Sequence, residues 1–125
     1  MKKIISTKNA PAAIGPYSQA TEAGGLIFIS GQLPINPATG ELAPADIKLQ
    51  TEASLKNIEA ILQSEGLTLE NVLKTTVLMA DLGQFAQMNE VYGKFFPKNP
   101  PARAAYGVAA LPKAALVEIE AVAAR

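Results

Sequence analysis

The chain has 125 residues, 49% of them hydrophobic and only 18% charged, with eleven basic residues against eleven acidic ones. That length suits one domain, 1–125, and zero net charge supplies no field for holding phosphates, so neither nucleic acid nor an acidic membrane is an expected partner. It has no cysteine and no histidine, which excludes disulfides, Ser-His-Asp triads, Cys-His dyads and thiolate or His-rich metal centres.

Proton transfer must therefore come from Asp, Glu, Lys, Tyr or an ordered water. The thin charge predicts a subunit contact, because association cores are poor in Lys, Glu and Asp; an Ala-rich chain that merely dilutes its charges is the alternative. The first residues, Met1-Lys2-Lys3-Ile4-Ile5-Ser6, lack the apolar region of a secretory signal. No apolar run approaches the roughly 20 residues of a bilayer span. A cytoplasmic protein is expected.

Lys3 to Ser6 is a short opening strand, followed by a Pro- and Gly-punctuated loop from Ala10 to Ser18. Gln19 to Ala23 forms a second strand, and Gly24-Gly25 a tight turn. Leu26-Ile27-Phe28-Ile29-Ser30 is continuously apolar, as for a strand covered on both faces. A long connection runs from Gly31 to Ala45, and loops of that length usually serve a site or a partner. Asp46 caps a helix that continues to about Glu65, with Gly66 to stop it. Ile47, Thr51, Leu55, Ile58 and Leu62 line its inner face.

Val72 to Ala80 is a buried strand. Asp81 and Gln84 have capping-box spacing for a second helix to about Phe96, whose apolar face is Phe85, Met88, Tyr92 and Phe95. Ala102 to Ala109 is a strand of small residues, broken at Leu111-Pro112-Lys113. Leu116 to Ala123 alternates, with Val117, Ile119, Ala121 and Ala123 on one face and Leu116, Glu118, Glu120 and Val122 on the other. The short break predicts that these last two strands pair as a hairpin. The order is that of an α+β fold, a single sheet with two helices packed on one face. The other face is left open for a partner subunit.

Arginine occurs only at Arg103 and Arg125. Arg103 follows Pro100-Pro101-Ala102 and precedes Ala104-Ala105, small neighbours that leave room for a ligand. Its fork can hold a carboxylate through two parallel hydrogen bonds, which Lys cannot reproduce; pairing with a surface carboxylate is the alternative. Glu118 and Glu120 share a strand face. If that face is buried, desolvation raises a carboxylate's pKa toward a useful range; otherwise both are solvated. Tyr17 can wall a pocket or simply pack. Ser30 precedes Gly31, whose bare backbone can approach a ligand, although such a Ser also commonly bonds its own turn. Asn89 lies beside the second helix's apolar row.

Ala10-Pro11-Ala12-Ala13-Ile14-Gly15-Pro16-Tyr17-Ser18-Gln19, Ser30-Gly31-Gln32-Leu33-Pro34, and Pro101-Ala102-Arg103 with Leu111-Pro112-Lys113 and Val117-Glu118-Ile119-Glu120 together resemble the signatures of the RidA (YjgF/YER057c) family. The likeness runs from about Ile4 to Ala124. It implies a chorismate-mutase-like fold, a homotrimer whose sheets form a central barrel, and active sites between subunits. It also implies hydrolysis of 2-imino or 2-enamino acids to 2-oxo acids, without metal or organic cofactor. By resemblance Arg103 holds the substrate carboxylate, Glu118 positions the hydrolytic water, and Tyr17, Ser30, Gly31 and Asn89 line the cleft. Many members carry Cys where this chain has Ala105; that residue's backbone is the part expected to contact ligand. The family also inserts its final strand elsewhere in the sheet, against the hairpin. A non-catalytic sensor of 2-oxo or amino acids would use the same Arg103, while endoribonuclease activity lacks a histidine and a basic groove.

Overall fold

A computed structural model describes residues 1–125. Six strands form one mixed sheet: β1 (Lys3–Ile5), β2 (Ala20–Ala23), β3 (Leu26–Gln32), β4 (Val72–Met79), β5 (Ala102–Gly107) and β6 (Val117–Ala124), in the spatial order β1-β2-β3-β6-β4-β5. Two helices, α1 (Ile47–Gln63) and α2 (Phe85–Phe95), cover one face. The α+β architecture expected from the order of elements is therefore present.

The β2–β3 hairpin closes on Gly24 and Gly25, at φ +59° and +79°. Two successive positive φ values define the tight turn that matches strand twist, and only Gly adopts them without strain. Asp46 caps α1 by accepting from the Lys48 and Leu49 amides at 2.8 and 3.0 Å. Gly66, at φ +73°, turns the chain after the helix. At α2 the expected capping box is replaced by a 3-10 turn, Leu82–Gln84, in which Asp81 accepts from the Gly83 amide. The helix proper begins after it.

The hairpin expected of the last two strands does not form. β4, α2 and β5 make a parallel crossover unit with β5 at the sheet edge, and β6 lies between β3 and β4, antiparallel to both. Burial explains the exchange. β6 brings Val117, Ile119, Ala121 and Ala123 under the helices, each at most 3% exposed, whereas β5 has little to bury. The strand with the larger apolar face takes the centre, where α1 covers it.

β3 was expected to be covered on both faces, and only one is. Ile27 and Ile29 are buried against the helices, while Leu26 and Phe28 are 39% and 50% exposed on the other side. With Ile4 and Tyr106 they make that open face apolar. No helix is long and apolar enough to cross a membrane.

Candidate active site

The register between β3 and β6 shifts between Ile29, opposite Ala121, and Gln32, opposite Ile119. Ser30 and Gly31 thus stand against Glu120 alone, a bulge that redirects the strand. Ser30 donates from its hydroxyl to the Ser18 carbonyl at 2.6 Å, and its amide donates to the Gln19 carbonyl at 2.9 Å. Gln19, only 4% exposed, accepts from the Thr7 amide and donates to the Thr7 and Pro11 carbonyls. These bonds lash the first loop over the bulge and bring Tyr17 to the Glu118 side.

Glu118 lies directly against Gly31. A Cβ at Gly31 would sit 2.9 Å from the carboxyl carbon of Glu118 and closer still to Oε2. Only glycine leaves room for the carboxylate, a close-approach role distinct from any turn. The Glu118 carboxyl is held above the usual carboxylate range, first by desolvation and then by the like charge of Glu120. Tyr17, Ser30, Gly31 and Glu118 therefore meet in one depression of about 570 Å³. Glu120 is more exposed, one pleat along on the same face.

The same depression is walled by residues not singled out as site residues from the sequence, among them Leu33, Ile35 and Lys113. Lys113 and Ala114 both adopt positive φ, +59° and +57°, a strained backbone for side-chain-bearing residues. The available signal is Leu111-Pro112-Lys113, which breaks the strand pattern and also belongs to the signature motifs.

Arg103 belongs to a second depression, of about 430 Å³, which it lines with Asn89, Tyr92, Gly93 and Pro101. Its register partner on β4 is Thr75, whose hydroxyl is 2.6 Å from the Tyr92 hydroxyl, so Arg103 projects on the helix side. The guanidinium lies 4.7 Å from the Tyr92 ring centre and 5.3 Å from that of Phe85, and Nη1 donates to Asn89 Oδ1 at 2.7 Å. Arg103 takes part in no ion pair, and its remaining N–H groups have no acceptor in the chain. The surface-pair alternative therefore fails: two rings and one amide aim an open fork. Ala105, two residues on, packs against the core rather than lining either depression.

Arg103 and Glu118 project from opposite faces of the sheet, with β4 between their strands. One chain thus carries two half-sites: an anion-holding fork, and a carboxylate with raised proton affinity. No group of three or more acidic side chains is placed to hold a metal ion.

Residues 7–125 match the family described as endoribonuclease L-PSP. A RutC family protein of Pyrococcus horikoshii is 54% identical, the match covering 98% of each chain. The mouse 2-iminobutanoate/2-iminopropanoate deaminase is 50% identical, over 98% of this chain and 91% of its own length. The crystal structure of Escherichia coli TdcF with bound serine superimposes with a TM-score of 0.94 at 47% identity, covering 98% of both chains.

Proposed function

The chain belongs to the endoribonuclease L-PSP (YjgF/RidA) family, and from that premise we propose that it is a homotrimeric deaminase hydrolysing 2-imino and 2-enamino acids to 2-oxo acids and ammonia. The observation that carries this reading is Glu118, a carboxylate of raised proton affinity pressed against Gly31 in a walled depression. Relatives named as deaminases at about half identity support it. So does the serine held by TdcF, which, like a 2-imino acid, bears nitrogen on the carbon next to its carboxylate.

An iminium carbon is already electrophilic, so the reaction needs a placed water and a group that moves protons. Arg103 holds the substrate carboxylate in its open fork and so orients the adjacent carbon. Glu118 takes a proton as the water oxygen bonds to that carbon, giving a carbinolamine, and returns it to the nitrogen. The C–N bond then breaks, and the hydroxyl proton leaves with ammonia as ammonium. Every step uses side chains of this protein alone. Because the half-sites lie on opposite faces, Arg103 of one subunit must meet Glu118 of its neighbour. The open apolar face with Phe28 and Tyr106 is the surface a trimer would bury.

The test is to generate 2-aminoacrylate from serine with a dehydratase and follow pyruvate and ammonia. Wild-type protein should accelerate their release, and Glu118→Gln should reduce the acceleration by roughly 10²–10⁴, the usual worth of acid–base catalysis. The variant should still bind 2-oxobutanoate within a few-fold of wild type. Wild type that binds the oxo acid without accelerating hydrolysis would instead support the sensor.

A further inference from the structure

We infer that two buried amides of α1, Asn57 and Gln50, are positioning residues that hold the wall of the Glu118 depression in place. This rests on the reading of that depression as the water-activating half-site. Asn57 Nδ2 donates to the carbonyls of Leu33 and Ile35, at 3.1 and 2.9 Å. Both of those residues line the depression. Gln50 Nε2 donates to the Ala43 carbonyl at 3.2 Å, and its Oε1 accepts from the Leu116 amide at 2.8 Å. Gln50 therefore ties the far end of the same loop to the chain two residues before Glu118.

The spacing is what makes this a device rather than two isolated contacts. Positions 50, 54 and 57 fall on one helical line, and all three are buried: Gln50 at 2%, Ser54 at 0% and Asn57 at 3% exposure. The Ser54 hydroxyl makes no hydrogen bond in the chain. A polar stripe buried under a loop is less stable than an apolar one unless its bonds are used. Here the amides donate to the backbone of the Gly31–Ala45 connection, whose own backbone bonds, among them Asn36 to Glu41 and Ala43 to Pro34, stay within the loop. No other hydrogen bond joins α1 to that backbone.

The consequence falls on Glu118. Leu33 and Ile35 wall the depression that Glu118 also lines, and desolvation is the main reason the proton affinity of its carboxyl is raised. The charged or titratable groups that share its surroundings are Glu120 on its own strand, Lys113 from the turn before it and Tyr17 from the first loop. None of these is bonded by Asn57, so loosening the wall changes solvation and leaves the charges where they are.

The experiment is a carbon-13 NMR titration of the Glu118 carboxyl in wild type, Asn57→Leu and Ser54→Ala, read alongside thermal unfolding. It needs no turnover, so it can fail independently of the deaminase reading. In Asn57→Leu, Glu118 should titrate at lower pH, nearer the ordinary carboxylate range. Ser54→Ala, equally buried on the same line but bonded to no loop carbonyl, should leave the midpoint at its wild-type value. Should Asn57→Leu not fold, Asn57→Ser, which keeps one shorter donor, should give a smaller shift in the same direction. A folded Asn57 variant with the wild-type midpoint would overturn the inference, as would equal shifts in the Asn57 and Ser54 variants.

Discussion

The two arginines of this chain sit in opposite situations. Arg125 is paired: Nε and Nη2 donate to both carboxylate oxygens of Glu22 at 2.7 and 3.0 Å, Nη2 also pairs with Glu65, and Lys3 completes the cluster. Arg103 is aimed by two aromatic rings and Asn89 and is paired with no carboxylate. A bidentate fork is thus spent inside the protein at one corner, where it ties the C-terminus to β2, and left open at the other. Equal charge and equal residue type say little about role; the occupancy of the donors separates structure from binding.

Replacing each arginine is the most direct way to break that contrast. Arg103→Lys keeps the charge but removes the fork, and should lower kcat/KM for imine hydrolysis by roughly 10²-fold or more while assembly is retained, as measured by the dehydratase-coupled assay and sedimentation equilibrium. Full activity would return Arg103 to a surface role. A smaller effect is expected one step back, at Asn89. Its Oδ1 fixes the guanidinium, and a hydrogen bond to a charged group is worth about 1.5–3 kcal/mol. Asn89→Ala should therefore raise KM about tenfold or more and change kcat less.

The smallest effect on activity belongs to Arg125→Gln, with turnover within about twofold of wild type and only stability affected. Its sign with pH can be worked out. The hydrogen bond from Arg125 holds Glu22 below its usual range, and bonds from Lys3 and then Arg125 do the same for Glu65. Depressed carboxylates stabilise the fold above their unfolded pKa, and that contribution is lost as pH falls through the folded value. The melting-temperature difference between wild type and Arg125→Gln should accordingly be present at neutral pH and vanish in acid. Arg125 is exposed and Glu22 and Glu65 are partly covered at the surface, so salt should weaken the contribution only in part.

Much of this was legible before any coordinates. The period-two pattern of β6 separated Val117, Ile119, Ala121 and Ala123 from Glu118 and Glu120, because alternation is a local property of one strand. The turn glycines and the Asp46 cap were legible for the same reason. The hairpin was not, since which strand takes the sheet centre depends on burial summed over partners far apart in sequence. Arg103 stood out by residue type, but that it is open while Arg125 is closed depends on Glu22 and Glu65, distant along the chain. Gly31 was noted for ligand approach, yet its nearest neighbour is the carboxylate of Glu118. Gln50 and Asn57 carried no signal, because a buried amide on a helix is visible only once the loop carbonyls it holds are in place.

The division of the site between the two faces of the sheet leads to one decisive measurement. Arg103→Lys and Glu118→Gln proteins, each impaired alone, are mixed in equal amounts, dissociated, reassembled and assayed for 2-aminoacrylate hydrolysis. If each site takes Arg103 from one subunit and Glu118 from its neighbour, random reassembly pairs two intact residues in about one site in four. Activity should then return to about a quarter of wild type. A mixture no more active than the two variants assayed separately would contradict a site shared between subunits.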